Sequence, residues 1–516
     1  MRNHLVGGAL VALTLAACAE DPAAAPTPAG PEPLASPAVG EWPTFKRDLA
    51  HTGVAPGVGA ITAANHCIKW HPKLTCGETR GASGPLIAKI GALPTVFFVV
   101  DGPKVGCNEG TPGRVFALEG QTGTVGWELE LPAGAKSDPY APTLADIDDD
   151  GLRELVFASN NGAQVFAVRT ANEGADAGAG TIQWTFTFPE RDARSEGAPI
   201  VANFDTRDAW PEVVVGTDYS RVAGATASKV FIIDGKTGLA KGKAFEAPSR
   251  NSLNAACDGL GNKIDSSSPT VADIDGLKIF VGAWNGKFYA LEWRASPEPG
   301  LYEKWTDTLP AFAGACPIQK VRSGAAVAQL VPGGDPEVVF GYMAESPDAA
   351  QYETAMLRVV SARGLGLVAE FDVDAWKSTV SVADLDPATP GLEITGGRYR
   401  GIFGLRMDGT ALASAWDHGI GDGNGGWGGN RASPAVADLD GDGDLEVVFG
   451  IEGSESPKLV VVDGKTGEVA WDMDLPGSGT DSSPAIGDID GDSKLEIVFL
   501  GRDGVAYAID SVCPAE

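Results

Sequence analysis

Three stretches of this chain carry carboxylates at positions 1, 3, 5 and 9 of a nine-residue run. They are Asp146, Asp148, Asp150 and Glu154; Asp438, Asp440, Asp442 and Glu446; and Asp488, Asp490, Asp492 and Glu496. Four acids crowded so closely repel one another unless a cation draws them together. A hard cation such as calcium takes roughly six to eight oxygens at short range. Each run offers its four carboxylates and a backbone carbonyl at position 7, and Gly441 and Gly443 permit the tight curvature in the second run. An acidic turn satisfied by its own amides is the alternative. The expectation is one calcium ion in each turn.

Related segments degrade. Asn203, Asp205, Asp208 and Glu212, and likewise Asp384, Asp386 and Glu393, span one residue too many and lack the acid at position 5. Asp273-Ile-Asp275 is truncated, and Gln329 to Glu337 has lost its early acids. These read as turns without metal.

Stepping outward from the acids, each run follows a Pro-led apolar segment and precedes a short apolar stretch such as Val447-Val448-Phe449. Aligned on that start, eight units begin near Pro85, Pro142, Pro199, Pro269, Ala325, Thr379, Pro434 and Pro484. The fullest carries four strand-length apolar runs separated by turn residues, with no helical period between them. Four strands per repeat of this length predict the blade of a propeller. The fold expected is therefore all-β, an eight-bladed β-propeller, with seven blades the alternative should residues 81–127 pack differently. The final unit supplies only three strands. Cys67-Ile-Lys-Trp70 matches the missing fourth, so an N-terminal strand is expected to complete the last blade and remove an exposed edge. Trp70, Trp127, Trp184, Trp305, Trp416 and Trp471 fall at comparable strand ends and are expected to pack between blades.

Composition agrees. Among 516 residues are 68 Gly and 35 Pro, which favours short strands over long helices. The formal net charge of -30 argues against nucleic acid or anionic lipid as the main partner.

The N-terminus reads as a targeting segment. Arg2 precedes an apolar stretch from Leu5 to Leu15, too short to span a bilayer. Leu15-Ala16-Ala17-Cys18 resembles a bacterial lipoprotein signal, implying lipid on the Cys18 thiol. The organisation expected is a signal peptide over 1–17, a Pro/Ala-rich tether over 18–40 and the propeller over 41–516. Ala19 after Cys18 favours the outer over the inner membrane. In an exported chain the six remaining cysteines read as disulfides. Loop placement in a closed ring pairs Cys67 with Cys513, Cys76 with Cys107, and Cys257 with Cys316.

The Asp-Gly-Asp-Gly turn followed by Val-Val-Phe-Gly450 resembles FG-GAP/VCBS repeats of integrin-type propellers. That resemblance implies calcium in the loop between first and second strands. Asp463-Gly-Lys-Thr-Gly467 with Trp471, and Trp42-Pro-Thr-Phe-Lys-Arg-Asp48 with His51-Thr-Gly53 ahead of the ring, resemble PQQ-like quinoprotein propellers. Those include dehydrogenases, yet this chain has no adjacent cysteine pair. Its five histidines form no His-Glu-x-x-His motif, and His51 and His71 read as structural groups. The leading expectation is a binding or scaffold module for protein or glycan. The alternative is a periplasmic enzyme working in the central funnel, either PQQ-dependent or a polysaccharide hydrolase or lyase using a carboxylate pair. Recognition is expected from the least repetitive loops: Trp427 within the glycine-rich 419–430 link, and Arg398, Tyr399 and Arg400 on a neighbouring loop.

Overall fold

The computed structural model describes residues 37–512, apart from 76–83, 92, 101–111, 133–141, 160–161, 173–177, 191, 220–221, 223–225, 249–262, 265–266, 311–318, 346–351, 374–377, 399–400, 420–431 and 453–456. The signal, the tether up to residue 36, Cys18, Cys76, Cys107, Cys257, Cys316, Cys513, Tyr399, Arg400 and Trp427 lie outside the described residues.

Eight antiparallel sheets form the blades of a propeller, and none of the described residues is helical. Blade 1 spans Leu86–Glu130, blade 2 Thr143–Thr187, blade 3 Ile200–Pro248 and blade 4 Thr270–Thr308. Blade 5 spans Gln319–Asp372, blade 6 Ser381–Gly419 and blade 7 Ala435–Asp474. Blade 8 takes three strands from Ala485–Asp510, and Cys67–Trp70 supplies its fourth, with Cys67 opposite Asp510. The ring therefore closes by joining the two ends of the chain, as the repeat count requires. The inner and middle strands are apolar and almost wholly buried (Glu212–Gly216, Glu446–Gly450 and Glu496–Leu500 throughout), because blades face one another on both sides.

The tryptophans join neighbouring blades. The indole N–H groups of Trp70, Trp184 and Trp416 donate to the carbonyls of Gly120, Gly235 and Gly464 at 2.6, 2.7 and 2.7 Å. Each acceptor lies in the turn between third and fourth strands of the next blade. The rings leave no room for a side chain there: a Cβ on Gly123, at φ 69°, would meet Trp70 at 2.7 Å. These contacts also put the first-to-second and third-to-fourth turns at one end of the ring. The second strands end and the third strands begin at the other end.

One element was not expected. Residues 40–61 run along the inside of the ring and pair with its innermost strands. Backbone N–H groups of Asp488, Ile87, Leu144, Val271, Val327, Val382 and Val436 donate in turn to the carbonyls of Gly40, Trp42, Pro43, Leu49, Ala50, Thr52 and Gly53, at 2.7–3.1 Å. Those donors belong to blades 8, 1, 2, 4, 5, 6 and 7. Val54–Val58 then pairs in parallel with Ala435–Asp438, making blade 7 five-stranded. Residues 41–47 are buried throughout, and Trp42, Phe45 and His51 are at most 5% exposed. Arg47 donates to the carbonyls of Pro37 and Glu41.

Candidate functional site: the acidic turns

The second strand of six blades opens with a buried glutamate. Glu154, Glu212, Glu337, Glu393, Glu446 and Glu496 each turn a carboxylate oxygen to a backbone N–H of the preceding turn, those of Ile147, Phe204, Leu330, Leu385, Leu439 and Ile489, at 2.7–3.1 Å. The same register position holds Thr95 in blade 1 and Lys278 in blade 4. Position 9 of the acidic run is thus first a cap that holds the turn. The alternative of a turn satisfied by its own amides therefore holds for this glutamate oxygen. The signal for the cap was present in Glu337, which persists where the early acids are gone.

In blades 2, 7 and 8 further carboxylates gather beside this cap. Oxygens of Asp146, Asp148 and Glu154, of Asp438, Asp440 and Glu446, and of Asp488, Asp490 and Asp492 lie within 4.8 Å of one another in each group. These are three of the four acids expected at each turn. The others serve their own loops: Asp150 accepts from the Leu152 amide at 2.7 Å, Asp442 from Asp444 at 2.8 Å, and Glu496 caps Ile489. Within the turns, backbone amides orient the first acids, with Gly441 donating to Asp438 and Gly491 to Asp488 at 2.8 and 2.6 Å.

The donor set suits a hard divalent cation, being all oxygen and mostly anionic. An independent sign is Glu496. It is fully buried, one oxygen caps Ile489, and the other, Oε1, has no hydrogen-bond partner. A buried anionic oxygen without a partner is costly, and a cation at this turn would satisfy it. Burial, with the neighbouring aspartates adding to it, pushes the Glu496 carboxyl up to about 9 and that of Glu446 up to about 8. Asp440 and Asp492 shift upward for the same reasons.

Elsewhere, protein cations occupy the acidic turns. In blade 3, Lys241 Nζ contacts Asp208 and Glu212 and lies 3.5 Å from Asp205, itself paired to Arg207. In blade 4, Lys278 Nζ donates to the carbonyls of Asp275 and Gly276 at 3.2 and 2.9 Å, and Arg363 of blade 5 reaches Asp275. Lys465 of blade 7 approaches Asp386 of blade 6 at 3.4 Å. Of the expected partner-binding residues, only Arg398 is described; its guanidinium pairs with Asp417 on the fourth strand of the same blade, across the third.

These features define a class, a propeller of mixed repeats. The FG-GAP-like repeat matches residues 438–499, which hold the acidic turns of blades 7 and 8. The profile described as outer membrane protein assembly factor BamB, of the PQQ type, matches residues 78–321. The chain is a β-propeller of FG-GAP-like and PQQ-like repeats. No curated protein sequence matches it. Among solved structures, the Dos1 propeller superposes with a TM-score of 0.50 at 11% identity, over 86% of this chain and 96% of that one. The rhamnogalacturonan lyase PL11 of Bacillus licheniformis gives 0.45 at 16% identity, over 85% and 91%. The V. cholerae biofilm matrix protein Bap1 gives 0.43 at 14%, over 87% and 91%. At these identities the likeness is one of fold.

Proposed function

We propose that this protein is an exported, lipid-anchored, calcium-binding propeller that serves as a binding or scaffold module for protein or glycan. The observation that carries the binding reading is the segment 40–61, buried throughout from Glu41 to Arg47. It covers the inner strands with Trp42, Phe45 and His51, where a quinone or a funnel-bound substrate would have to sit. Recognition then falls to loops on the rigid ring. Arg398 ends the second strand of blade 6, away from the acidic turns, and we assign Trp427, Arg398, Tyr399 and Arg400 to the contact surface.

Calcium is the ion we assign to the turns at Asp146, Asp438 and Asp488, because their oxygen-rich clusters and the FG-GAP-like match point the same way. Export and anchoring rest on the Cys18 signal, and the likeness to an outer membrane assembly factor supports an envelope location. A disulfide between Cys67 and Cys513 would weld the closed blade; the pairing of Cys67 with Asp510, three residues short of Cys513, supports it. The pairs Cys76–Cys107 and Cys257–Cys316 complete the scheme.

Glycan and protein arrays probed with the full chain, with calcium and with EDTA, test the reading. Saturable binding to one ligand class, lost on Trp427→Ala with an unchanged melting temperature, is expected. Quinone extraction that returned one PQQ per chain would instead establish the enzyme alternative.

A further inference from the structure

The three ion-type turns lie beside both ends of the inner segment. The segment enters the ring at Gly40, whose carbonyl accepts the backbone N–H of Asp488, the first acid of the blade 8 turn, at 3.1 Å. Gly40 has φ 82°, and a Cβ there would meet Asp488 Cβ at 2.9 Å. The next residue, Glu41, is gripped at both oxygens by Arg153, at 3.1 Å each. Arg153 immediately precedes Glu154 in the blade 2 turn.

The exit is built in the same way. Val58 pairs with Asp438, the first acid of the blade 7 turn. The N–H groups of Gly59 and Ile61 then donate to the carbonyls of Asp438 and Leu439, both at 2.8 Å. A Cβ on Gly59 would overlap the Leu439 carbonyl. Leu439 also donates its own N–H to Glu446, so a single peptide links the acid cluster to the departing segment. The middle of the segment, Leu49 to Thr52, instead bonds to the inner strands of blades 4, 5 and 6, away from any ion-type turn.

We propose that calcium at the turns of blades 2, 7 and 8 acts as a latch on residues 37–61, so that ion binding and seating of the segment are one coupled equilibrium. This rests on the assignment of calcium to those turns. Without the ion, repulsion among the clustered acids spreads each turn and moves Asp488, Arg153 and Asp438-Leu439 from under the segment. With it, the turns hold one geometry and both ends are pinned. Linkage makes the effect reciprocal: whatever loosens the segment weakens the ion. The unpartnered, fully buried Glu496 oxygen belongs to the entry turn, beside Asp488.

Hydrogen exchange by mass spectrometry on the full chain, in calcium and after EDTA, reads the latch directly. Calcium is expected to slow exchange over 37–43 and 57–61 by about tenfold or more, within the usual span of coupling between sites. Residues 48–52 should slow much less. Calorimetric titration runs in parallel, and Gly59→Ala and Glu41→Gln, neither an ion ligand, are expected to weaken calcium binding by about five- to tenfold. Calcium binding with unchanged exchange at both ends would overturn the latch and leave the ion assignment standing. Absence of any calcium binding would overturn both. Should Gly59→Ala fail to fold, Glu41→Gln decides the reciprocal arm, and full calcium affinity in that variant would count against coupling at the entry.

Discussion

Two arcs of the ring solve one electrostatic problem in different ways. In blades 7, 8 and 2 the turns between first and second strands each bring oxygens of three carboxylates within 4.8 Å of one another. In blades 3 to 6 the corresponding turns are neutralised from within, by Lys241, Lys278, Arg363 and Lys465, or have lost their acids, as at Gln329. The glutamate cap survives in both arcs, so the turn geometry is common property and only the counter-charge differs. An ammonium on a tethered side chain cannot leave, whereas an ion can. With calcium in the turns as proposed, the difference teaches that one arc is stabilised permanently and the other conditionally. The conditional arc is the one that holds both ends of the inner segment.

The largest test of that contrast is ion removal. Each site held at about a hundred times its dissociation constant contributes about 2.7 kcal/mol, so three sites contribute about 8 kcal/mol. EDTA should therefore lower the melting temperature by roughly 10 °C for a ring of this size. Scanning calorimetry checks this, and an unchanged transition would abolish the distinction between the arcs.

The converse test acts on the permanent arc. Lys241→Met leaves Asp205, Asp208 and the fully buried Glu212 without their central cation. Removing one partner of a buried ionic cluster costs about 3–5 kcal/mol. The loss should be the same in calcium and in EDTA at neutral pH. A loss that vanished on adding calcium would mean that blade 3 can recruit an ion after all.

Much of this was legible in the sequence, because the repeat sets it out. Strand count, closure by Cys67–Trp70 and the packing of the tryptophans follow from eight copies of one unit, and each is present. The three ion-type turns were legible for the same reason, since a short acidic run is a local signal. The inner segment was not. Trp42 to Gly53 occurs once, carries no strand alternation, and mixes Trp42 and Phe45 with Lys46, Arg47 and Asp48, so its resemblance to PQQ-like propellers set it ahead of the ring without saying where it packs. Only the ring explains why those charges are buried, with Lys46 donating to Ser381 and to the Pro434 carbonyl. Lys241 was equally hidden. It lies 29 residues beyond Glu212 in a stretch that reads as an ordinary turn.

Acid probes the inner segment itself. His51 is 1% exposed, edge-on to Phe45, with Nδ1 3.2 Å from the Ala325 carbonyl. Burial, aided by the charge of Lys46, lowers its ring to about 3 from the ordinary 6.5. Below pH 6.5 the unfolded chain binds a proton that the folded ring refuses. The contribution is therefore complete above that pH and is lost as pH falls toward 3. At pH 4.5 the loss is about 2–3 kcal/mol. Denaturant titrations at pH 7 and 4.5 on wild type and His51→Gln should show the excess slope in wild type only. Equal slopes would place the acid sensitivity in the carboxylate arc.

The smallest effect separates one ion-type turn from the others. Lys69, on the strand that closes blade 8, sets its ammonium 2.9 Å from Asp490 and 2.8 Å from Asp510. The position before the interblade tryptophan is Gln183 in blade 2, where its amide donates to Asp148 at 2.9 Å, and Ala470 in blade 7. Blade 8 thus carries features of both arcs, a built-in cation beside a carboxylate cluster. With calcium in the turns as proposed, the ammonium would compete with the ion for Asp490 and leave this the weakest of the three sites. Lys69→Met removes the competitor. Its calcium affinity at that turn should rise about tenfold, equivalent to about 1.4 kcal/mol, while the ion-free protein melts lower because Asp490 and Asp510 lose their partner. Titration with terbium, read by luminescence, resolves the two changes. If affinity fell instead, Lys69 would be positioning Asp490 for the ion, and blade 8 would belong wholly with blades 7 and 2.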